Sequence, residues 1–492
     1  MLHIDNFLNS ITMYRLVLYG LAALAFIAII FGFLGILPYA GNWLLISAIT
    51  LLAACYFFNY IFSRLFSVPV NIESSFITAL ILFLIMTPPS AISDLKILVL
   101  AGIIAMASKY FIAPFRRHIF NPSAFAATVI FLTGLGGAAW WVGTLTMFPA
   151  VLVIGLLVVR KIRRFDLFLP FLGAGLFSTI YFGIINSSNA STLLYLTLIS
   201  GPILFFGTIM LTEPITTPPR RNLRIIYGVT LGILFGSQLH FGPFYPAPEF
   251  ILVAGNLFSY FVGFKKKMIL TLKSKDKIAK DIYEFVFMPA RPISFAPGQY
   301  LEWTLSHDNP DSRGVRRYFT IASSPTEQAI KLGIKLNEPP SSFKKKLSKI
   351  ENGERAFAGQ LAGDFILSRD KNKKLAFIAG GIGITPYRSM IKYLIDTNER
   401  RDIVLFYAVR AEEEIAYRYL FIEAEAKIGF RTEYVISKII DAALIEDKLP
   451  DWRERTFYIS GPEAMVSAFK KMLRVMGVSR MNITTDYFPG FA

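Results

Sequence analysis

The run FIAGGIGITP (Phe377 to Pro386) passes from apolar residues into three glycines and then a Thr-Pro pair suited to open a helix. Gly380, Gly381 and Gly383 carry no side chain to hold a ligand away. Backbone amides there can approach a dinucleotide pyrophosphate, and the hydroxyl of Thr385, beside Pro386, can hydrogen-bond it. A tight strand-to-helix turn needs the same residue types, so the loop gains meaning from its neighbours. In RRYFTIASSP (Arg316 to Pro325) a cation, an aromatic ring and a hydroxyl stand at Arg317, Phe319 and Thr320, with Tyr318 between them. Strand packing accounts for Ile321 and Ala322 but not for that joint spacing. Gln299 and Tyr300 come before it in PGQY (Pro297 to Tyr300). Ser341 and Ser342 come after it in PSSFKKKL, where a helix start offers amides and hydroxyls to a second phosphate contact. FYISGPEAM (Phe457 to Met465) sets Ser460, Gly461, Pro462 and Met465 at another strand-to-helix join, and Asp486 is a carboxylate able to orient a site or a proton.

A second set of candidates lies in the apolar first half. HIFNPSAFA (His118 to Ala126) holds Asn121, Pro122 and Ser123; MLTEPITTPPRR (Met210 to Arg221) holds Thr212, Glu213, Pro214, Thr216 and Thr217. A helix interrupted by proline ends at depth and leaves backbone groups free for a ligand. ILFLIMTPP (Ile81 to Pro89) is repeated loosely as ILFFGTIMLTEP (Ile203 to Pro214). These are the third and eighth apolar stretches, five apart, so the two halves have opposite orientation, as in inverted-repeat transporter folds.

The elements that must position these residues follow from composition. Hydrophobic residues make up 54% of the 492 and charged residues 17%. Up to Phe264 the only carboxylates are Asp5, Glu73, Asp94, Asp166, Glu213 and Glu249; from Lys265 charges of both signs appear at the density of soluble proteins. Stretches of spanning length are expected at 14–37, 41–62, 73–87, 94–110, 121–137, 141–159, 166–185, 191–212, 224–241 and 249–264. The first of these is too long for a cleavable signal peptide and reads as a transmembrane helix. Alternate loops carry fourteen cations: Arg64, Lys109, Arg116, Arg117, Arg160, Lys161, Arg163, Arg164, Arg220, Arg221, Arg224 and Lys265 to Lys267. The other side has only Lys96, so the basic side and both termini are assigned to the cytoplasm of a multi-pass protein in the inner or plasma membrane. Loop cations that meet anionic lipid also explain the net charge of +17 without nucleic acid. A single cysteine, Cys55, excludes an intrachain disulfide and cysteine-ligated clusters, and no metal site is expected.

From Met268 the pattern changes to short alternating runs, MILTLKS and IYEFVFM; after Lys374 strand-like runs alternate with helical segments. The expected architecture is a polytopic α-helical membrane domain with an inverted repeat (1–264), a β-barrel domain (265–370) and an α/β nucleotide-binding domain (371–492).

Two family resemblances attach to these motifs. Over essentially all of 266–492 the chain resembles the ferredoxin–NADP reductase family, through PGQY, the Arg317-Tyr318-Phe319-Thr320 run, the glycine loop and FYISGPEAM. The resemblance implies FAD, with Arg317 on its pyrophosphate, Phe319 packed on the flavin, Thr320 near flavin N5, and NADH or NADPH at the glycines. It also implies that the terminal aromatics Tyr487, Phe488 and Phe491 cover the flavin ring. The family's cysteine beside the nicotinamide is replaced by Ser460, which puts a thiol role in doubt. Loosely across 70–262 the chain resembles the flavin-binding membrane subunits of the Rnf complex and of the sodium-pumping NADH:quinone oxidoreductase. That likeness implies FMN or riboflavin near Asn121, Pro122, Ser123, Thr212, Glu213, Pro214, Thr216 and Thr217. The relatives' Ser-Gly-Ala-Thr attachment sequence is absent, so the membrane flavin is expected to be non-covalent.

Together these features lead to an NAD(P)H-dependent flavoprotein that passes electrons through FAD to a membrane flavin and on to a quinone or an extracytoplasmic acceptor. A haem-containing ferric reductase or NADPH oxidase type would need paired membrane histidines, whereas the first half beyond residue 100 holds only His118 and His240, assigned to opposite faces. A transporter regulated by nucleotide is the non-enzymatic alternative. Arg410 and the AEEE that follows it pull in opposite directions on a 2′-phosphate, which leaves NADH and NADPH both open.

Overall fold

Apolar runs of twenty residues or more in the first half form long helices, and prolines decide where the shorter ones begin and stop. A computed structural model of the chain divides into two units, Met1–Lys266 and Lys267–Ala492. It describes residues 8, 11–66, 70–114, 118–186, 189–237, 247–263, 268–307, 309–311, 315–336 and 339–488.

The first unit contains α1 (Met13–Phe33), α2 (Gly41–Leu65), α3 (Ile72–Ile85), α4 (Leu95–Phe111), α5 (Pro122–Leu132), α6 (Phe148–Ile162), α7 (Phe165–Ile185) and α8 (Ala190–Leu198). A short α9 (Ile203–Phe205) continues as a π-helix (Phe206–Met210), followed by α10 (Arg221–Gly236) and α11 (Pro248–Val262). The expectation of ten spans is corrected here. Among the described helices only α1, α2 and α7 are long and apolar enough to cross a membrane, or up to four if the pair α8 and Ile203–Met210, bent by 51°, counts as one. The reason is that hydropathy runs on through helix ends. Helix α3 stops after 14 residues, just ahead of Pro88 and Pro89; Pro122 starts the 11-residue α5; and Pro248 starts the 15-residue α11.

The end of α3 is not left open. Its last carbonyls have no helical partner. Trp140 N and Val142 N donate to Ile85 O and Leu84 O at 2.9 and 3.3 Å, and Trp141 Nε1 donates to Phe83 O at 2.9 Å. The non-helical segment after α5 thus serves as the cap of a half-helix. Elsewhere α10 lies against α7 through glycines: a β-carbon on Gly228, Gly232 or Gly236 would sit 2.6, 2.4 and 2.3 Å from the carbonyls of Leu167, Phe171 and Gly175. Backbones approach this closely only where no side chain stands between them. Arg224 is buried at the start of this contact, with Nε 2.8 Å from Asp166 Oδ2 and Nη1 donating to Pro219 O at 2.6 Å.

The second unit has two sheets. The first runs β4 (Arg316–Thr320), β3 (Tyr300–Thr304), β6 (Arg355–Ala362), β1 (Met268–Ala279), β2 (Ile282–Pro289), β5 (Ile330–Lys335), with antiparallel neighbours. Ala322 N, just past β4, donates to Lys331 O of β5 at 2.9 Å, so the two edges of the sheet meet and it curls into a barrel. The second is a parallel sheet in the order β11 (Ile483–Phe488), β10 (Thr456–Pro462), β7 (Leu375–Gly380), β8 (Ile403–Val409), β9 (Arg431–Ile436). Helices α12 (Ser342–Ser348), α13 (Thr385–Asp396), α14 (Arg418–Ile428), α15 (Ala442–Lys448) and α16 (Glu463–Val475) complete it. Strands β7, β8 and β10 are buried almost throughout, as a sheet covered on both faces requires.

A buried ion pair ties the barrel to α13. Arg388, 2% exposed, bonds Glu327 with both terminal nitrogens and donates to Ala322 O at 3.1 Å. Ser324 N and Lys331 Nζ reach the same carboxylate at 2.7 and 3.1 Å. Burial pushes the Glu327 carboxyl up, but the hydrogen bonds and charge of Arg388 outweigh it and hold the group down to about 2. A carboxylate whose folded value lies below its unfolded value of about 4.3 stabilises the fold fully above that pH. The contribution is lost as pH falls from about 4 toward 2. Acid unfolding followed by circular dichroism is therefore expected to show a transition in that window, absent from an Arg388→Met/Glu327→Leu double variant.

Candidate functional site

The parallel sheet fixes where a nucleotide can go. From β7 the chain proceeds to β8 and β9 on one side, while β10 and β11 lie on the other. The strand order therefore reverses between β7 and β10, and ligands of such sheets lie in the crevice at the carboxyl ends of the strands at that point. Gly380 ends β7, Gly381 to Ile384 form a 3₁₀ turn, and Thr385 and Pro386 open α13. Ser460, Gly461 and Pro462 end β10 directly opposite.

The three loop glycines do different jobs. A β-carbon on Gly383 would lie 2.4 Å from Ser460 O, and one on Gly380 would lie 2.3 Å from Met465 Sδ. Gly383 lets the turn after β7 close on β10, and Gly380 leaves room for Met465 of α16. Gly381 has φ +52° with nothing within 4 Å of its virtual β-carbon, so its backbone borders open space. Gly383→Ala is expected to destabilise the unit by about 2 kcal/mol or more through overpacking. Gly381→Ala is expected to cost only about 1 kcal/mol of backbone strain while weakening nucleotide binding; paired thermal melts and nucleotide titrations separate the two. The Thr385 hydroxyl donates to Ile382 O at 3.2 Å. The Ser460 hydroxyl is fully buried and has no hydrogen-bond partner among the described residues. Asp486 pairs with Ser460 in register, and Phe488 with Pro462. Phe491 lies outside the described residues.

The barrel holds an anion grip. Arg317 Nη2 donates to both oxygens of Asp311 at 2.8 and 2.9 Å, and Nη1 donates to Arg316 O at 2.7 Å. Ser342 N, at the start of α12, donates to Asp311 Oδ2 at 3.2 Å; Asp311 N donates to Ser342 Oγ at 2.9 Å; and the Ser341 hydroxyl caps the helix at Lys344 N, 3.4 Å away. The guanidinium stands 5.5 Å from the Phe343 ring, and Phe319 packs 5.6 Å from the same ring. Burial pulls the guanidinium of Arg317 down and the Asp311 charge works against that. One guanidinium nitrogen and a helix-start amide converge on one carboxylate, donors that a phosphate oxygen pair could also accept from. Asp311 was not among the residues singled out from the sequence, since nothing in its loop marks it.

Thr320 is buried at the end of β4 opposite Tyr300, whose ring meets Tyr318 edge-on at 5.7 Å. Gln299 braces the turn before β3, accepting from Ala296 N at 2.8 Å and donating to Gly363 O at 3.4 Å.

In the first unit Asn121, Glu213 and Thr216 come together. Asn121 Nδ2 donates to Glu213 Oε2 at 2.9 Å, the Thr216 hydroxyl lies 3.3 Å from the same oxygen, and His118 Nε2 is 3.6 Å from Glu213 Oε1. Asn256 of α11, not singled out from the sequence, joins them by accepting from Asn121 N at 2.7 Å and lying 3.3 Å from Tyr227 OH. The remaining candidates face backbone: the hydroxyls of Ser123, Thr212 and Thr217 donate to Thr78 O, Thr208 O and Pro214 O at 3.2, 2.7 and 3.3 Å, and Pro122 is the first residue of α5. His240 lies outside the described residues.

Comparison with known proteins bears on the second unit. Residues 377–471 match the family model described as the oxidoreductase NAD-binding domain. Flavohemoprotein A of Dictyostelium discoideum is 22% identical over 244 residues, covering 46% of this chain and 61% of its own length. A glycine betaine monooxygenase reductase subunit of Pseudomonas aeruginosa is 27% identical over 214 residues, covering 40% of this chain and 57% of its own. Among solved structures, the flavohem-like FAD/NAD binding domain of a Vibrio cholerae nitric oxide dioxygenase aligns with a TM-score of 0.40 at 19% identity, over 45% of this chain and 98% of that one. The chain thus spans about three fifths of the length of these curated relatives. The class these likenesses support is an oxidoreductase module with an NAD-binding domain. Within that class, the relatives are oxidoreductases or their reductase components.

Proposed function

We propose that the chain is a membrane NAD(P)H oxidoreductase, taking electrons from NADH or NADPH through FAD to a second flavin, FMN or riboflavin, and on to a quinone or an extracytoplasmic acceptor. The observation that carries the reading is the glycine-lined crevice between β7 and β10 in the same unit as the anion grip at Arg317. Arg317 and the Ser342 amide would hold the FAD pyrophosphate in place of the Asp311 carboxylate, with Phe319 and Thr320 toward the flavin. The backbone at Gly381 would meet the nicotinamide dinucleotide, and Ser460 would stand beside its reactive ring. FAD, when bound, accepts a hydride from NAD(P)H and releases electrons singly.

The membrane half of the reading rests on the sequence resemblance and on the Asn121–Glu213–Asn256 cluster. Hydrocarbon roughly 30 Å thick is too wide for one electron jump, so a relay inside it is required. The cluster offers amide, hydroxyl and carboxylate groups to a flavin's polar edge or ribityl chain. Loop cations favour the second unit facing the cytoplasm of an inner or plasma membrane, where NAD(P)H is found. Denaturing the detergent-purified protein and separating released flavins tests the proposal. FAD together with FMN or riboflavin is expected. Release of FAD alone would remove the membrane flavin, and flavin retained on the denatured chain would contradict non-covalent binding.

A further inference from the structure

Glu249 stands in the first turn of α11, 1% exposed, and accepts a hydrogen bond from Trp140 Nε1 at 2.8 Å. Among the described residues it has no ion-pair partner. An ionisable side chain inside an apolar bundle is expensive, and it persists where it is used.

Two contacts set the geometry around it. Asn121 at the start of α5 bonds Asn256 in the second half of α11, and the rings of Phe131 and Phe250, toward the other ends, meet at 5.3 Å. The two helices are therefore antiparallel neighbours. At 1.5 Å per residue, Thr128 stands about 10 Å along α5 from Asn121, and Glu249 about 10 Å along α11 from Asn256 in the same direction. The seam thus has two polar levels, the Asn121–Glu213–Asn256 cluster and, a second level away, Thr128 with Glu249 and Trp140. Among the described residues Thr128 Oγ1 is buried and without a hydrogen-bond partner, as is Ser259 Oγ one turn past Asn256. Buried hydroxyls left unpaired along one seam mark positions for ordered water.

We infer that Glu249 exchanges protons between solvent at its end of the bundle and the Asn121–Glu213 cluster, along the α5–α11 seam. The inference rests on reading that cluster as the second flavin's site. Electrons from NAD(P)H arriving there are matched by at most one proton each. The proton leaves solvent water, adds to a Glu249 carboxylate oxygen, and passes through water beside Thr128 to the cluster; Glu249 then takes the next proton from solvent. Only O–H bonds form and break at Glu249, which ends as it began. It acts through water and not on the flavin, so it is a positioning and relay residue.

The test uses the full-length, flavin-loaded protein. Time-resolved infrared spectra taken during reduction by NAD(P)H are expected to show a transient carboxylic carbonyl band that shifts in D2O, is lost in Glu249→Gln and moves in Trp140→Phe. Stopped-flow is expected to show reduction of the second flavin slowed at least about tenfold in Glu249→Gln, with FAD reduction unchanged. Thr128→Val, which keeps the volume and removes the hydroxyl, is expected to slow the same step less. Should Glu249→Gln fail to accumulate, the Thr128→Val rate and the Trp140→Phe spectrum decide in its place. Wild-type rates in these variants, or a spectrum without the band, would overturn the proton route and leave the flavin site standing. Release of FAD alone from the wild-type protein would instead overturn the flavin site and the route with it.

Discussion

Arg317→Ala is expected to yield protein that purifies with little or no FAD. The guanidinium makes a charge-assisted contact to both carboxylate oxygens, of the kind worth roughly 2–4 kcal/mol when an anion loses it, which corresponds to about 30- to 1,000-fold in affinity. The loss should be specific to binding. Arg317 lies in β4, where the ladder bonds to β3 are made by backbone and survive the substitution. Arg317→Lys keeps the charge but not the planar guanidinium with its several donors, so an intermediate affinity is expected. Asp311→Asn, which weakens the competing internal anion, is expected to retain FAD at least as well as the wild type. Fluorescence titration of apoprotein with FAD checks all three. Equal FAD affinity in Arg317→Ala and wild type would dissociate this grip from FAD.

The second large effect concerns stability. Arg388→Met is expected to destabilise the second unit by about 3–5 kcal/mol, because it leaves the Glu327 carboxylate buried without its main partner. The double variant Arg388→Met/Glu327→Leu should recover much of that loss, since removing both charges removes the desolvation cost as well. Chemical denaturation measures both. A single variant as stable as the wild type would mean that Lys331, 3.1 Å from Glu327, suffices alone. Because the pair joins the barrel to α13, loss of nucleotide binding should accompany the loss of stability.

What could be read in advance follows a physical line. The Gly380–Pro386 loop, the Ser460–Met465 join and the Arg317–Thr320 run are local patterns whose spacing reflects one strand or one turn, and the structure puts the first two at strand ends of the parallel sheet and the third along β4. Hydropathy, by contrast, averages over some twenty residues, so it does not register that α3 ends before Pro88 or that α5 begins at Pro122. Apolar sequence on either side of such breaks reads as one span. Partners distant in the chain were also hidden: Asn121 with Asn256, Trp140 with Glu249 and Arg388 with Glu327 meet only after the chain has folded. The repeat between Ile81–Pro89 and Ile203–Pro214 was visible because both copies keep a helix that stops short of a proline. The different finish of the two copies, an α-helical end at Ile85 and a π-helical one at Met210, left no mark in residue type.

The most direct measurement is an anaerobic titration of the purified full-length protein with NADH or NADPH, with visible flavin absorbance followed to completion. Bleaching of two flavins per chain is the expected result, the second abolished in Arg317→Ala although dithionite still reduces it. Bleaching of one flavin only, with a second that dithionite reduces and NAD(P)H does not, would contradict electron passage from the reductase module into the membrane unit.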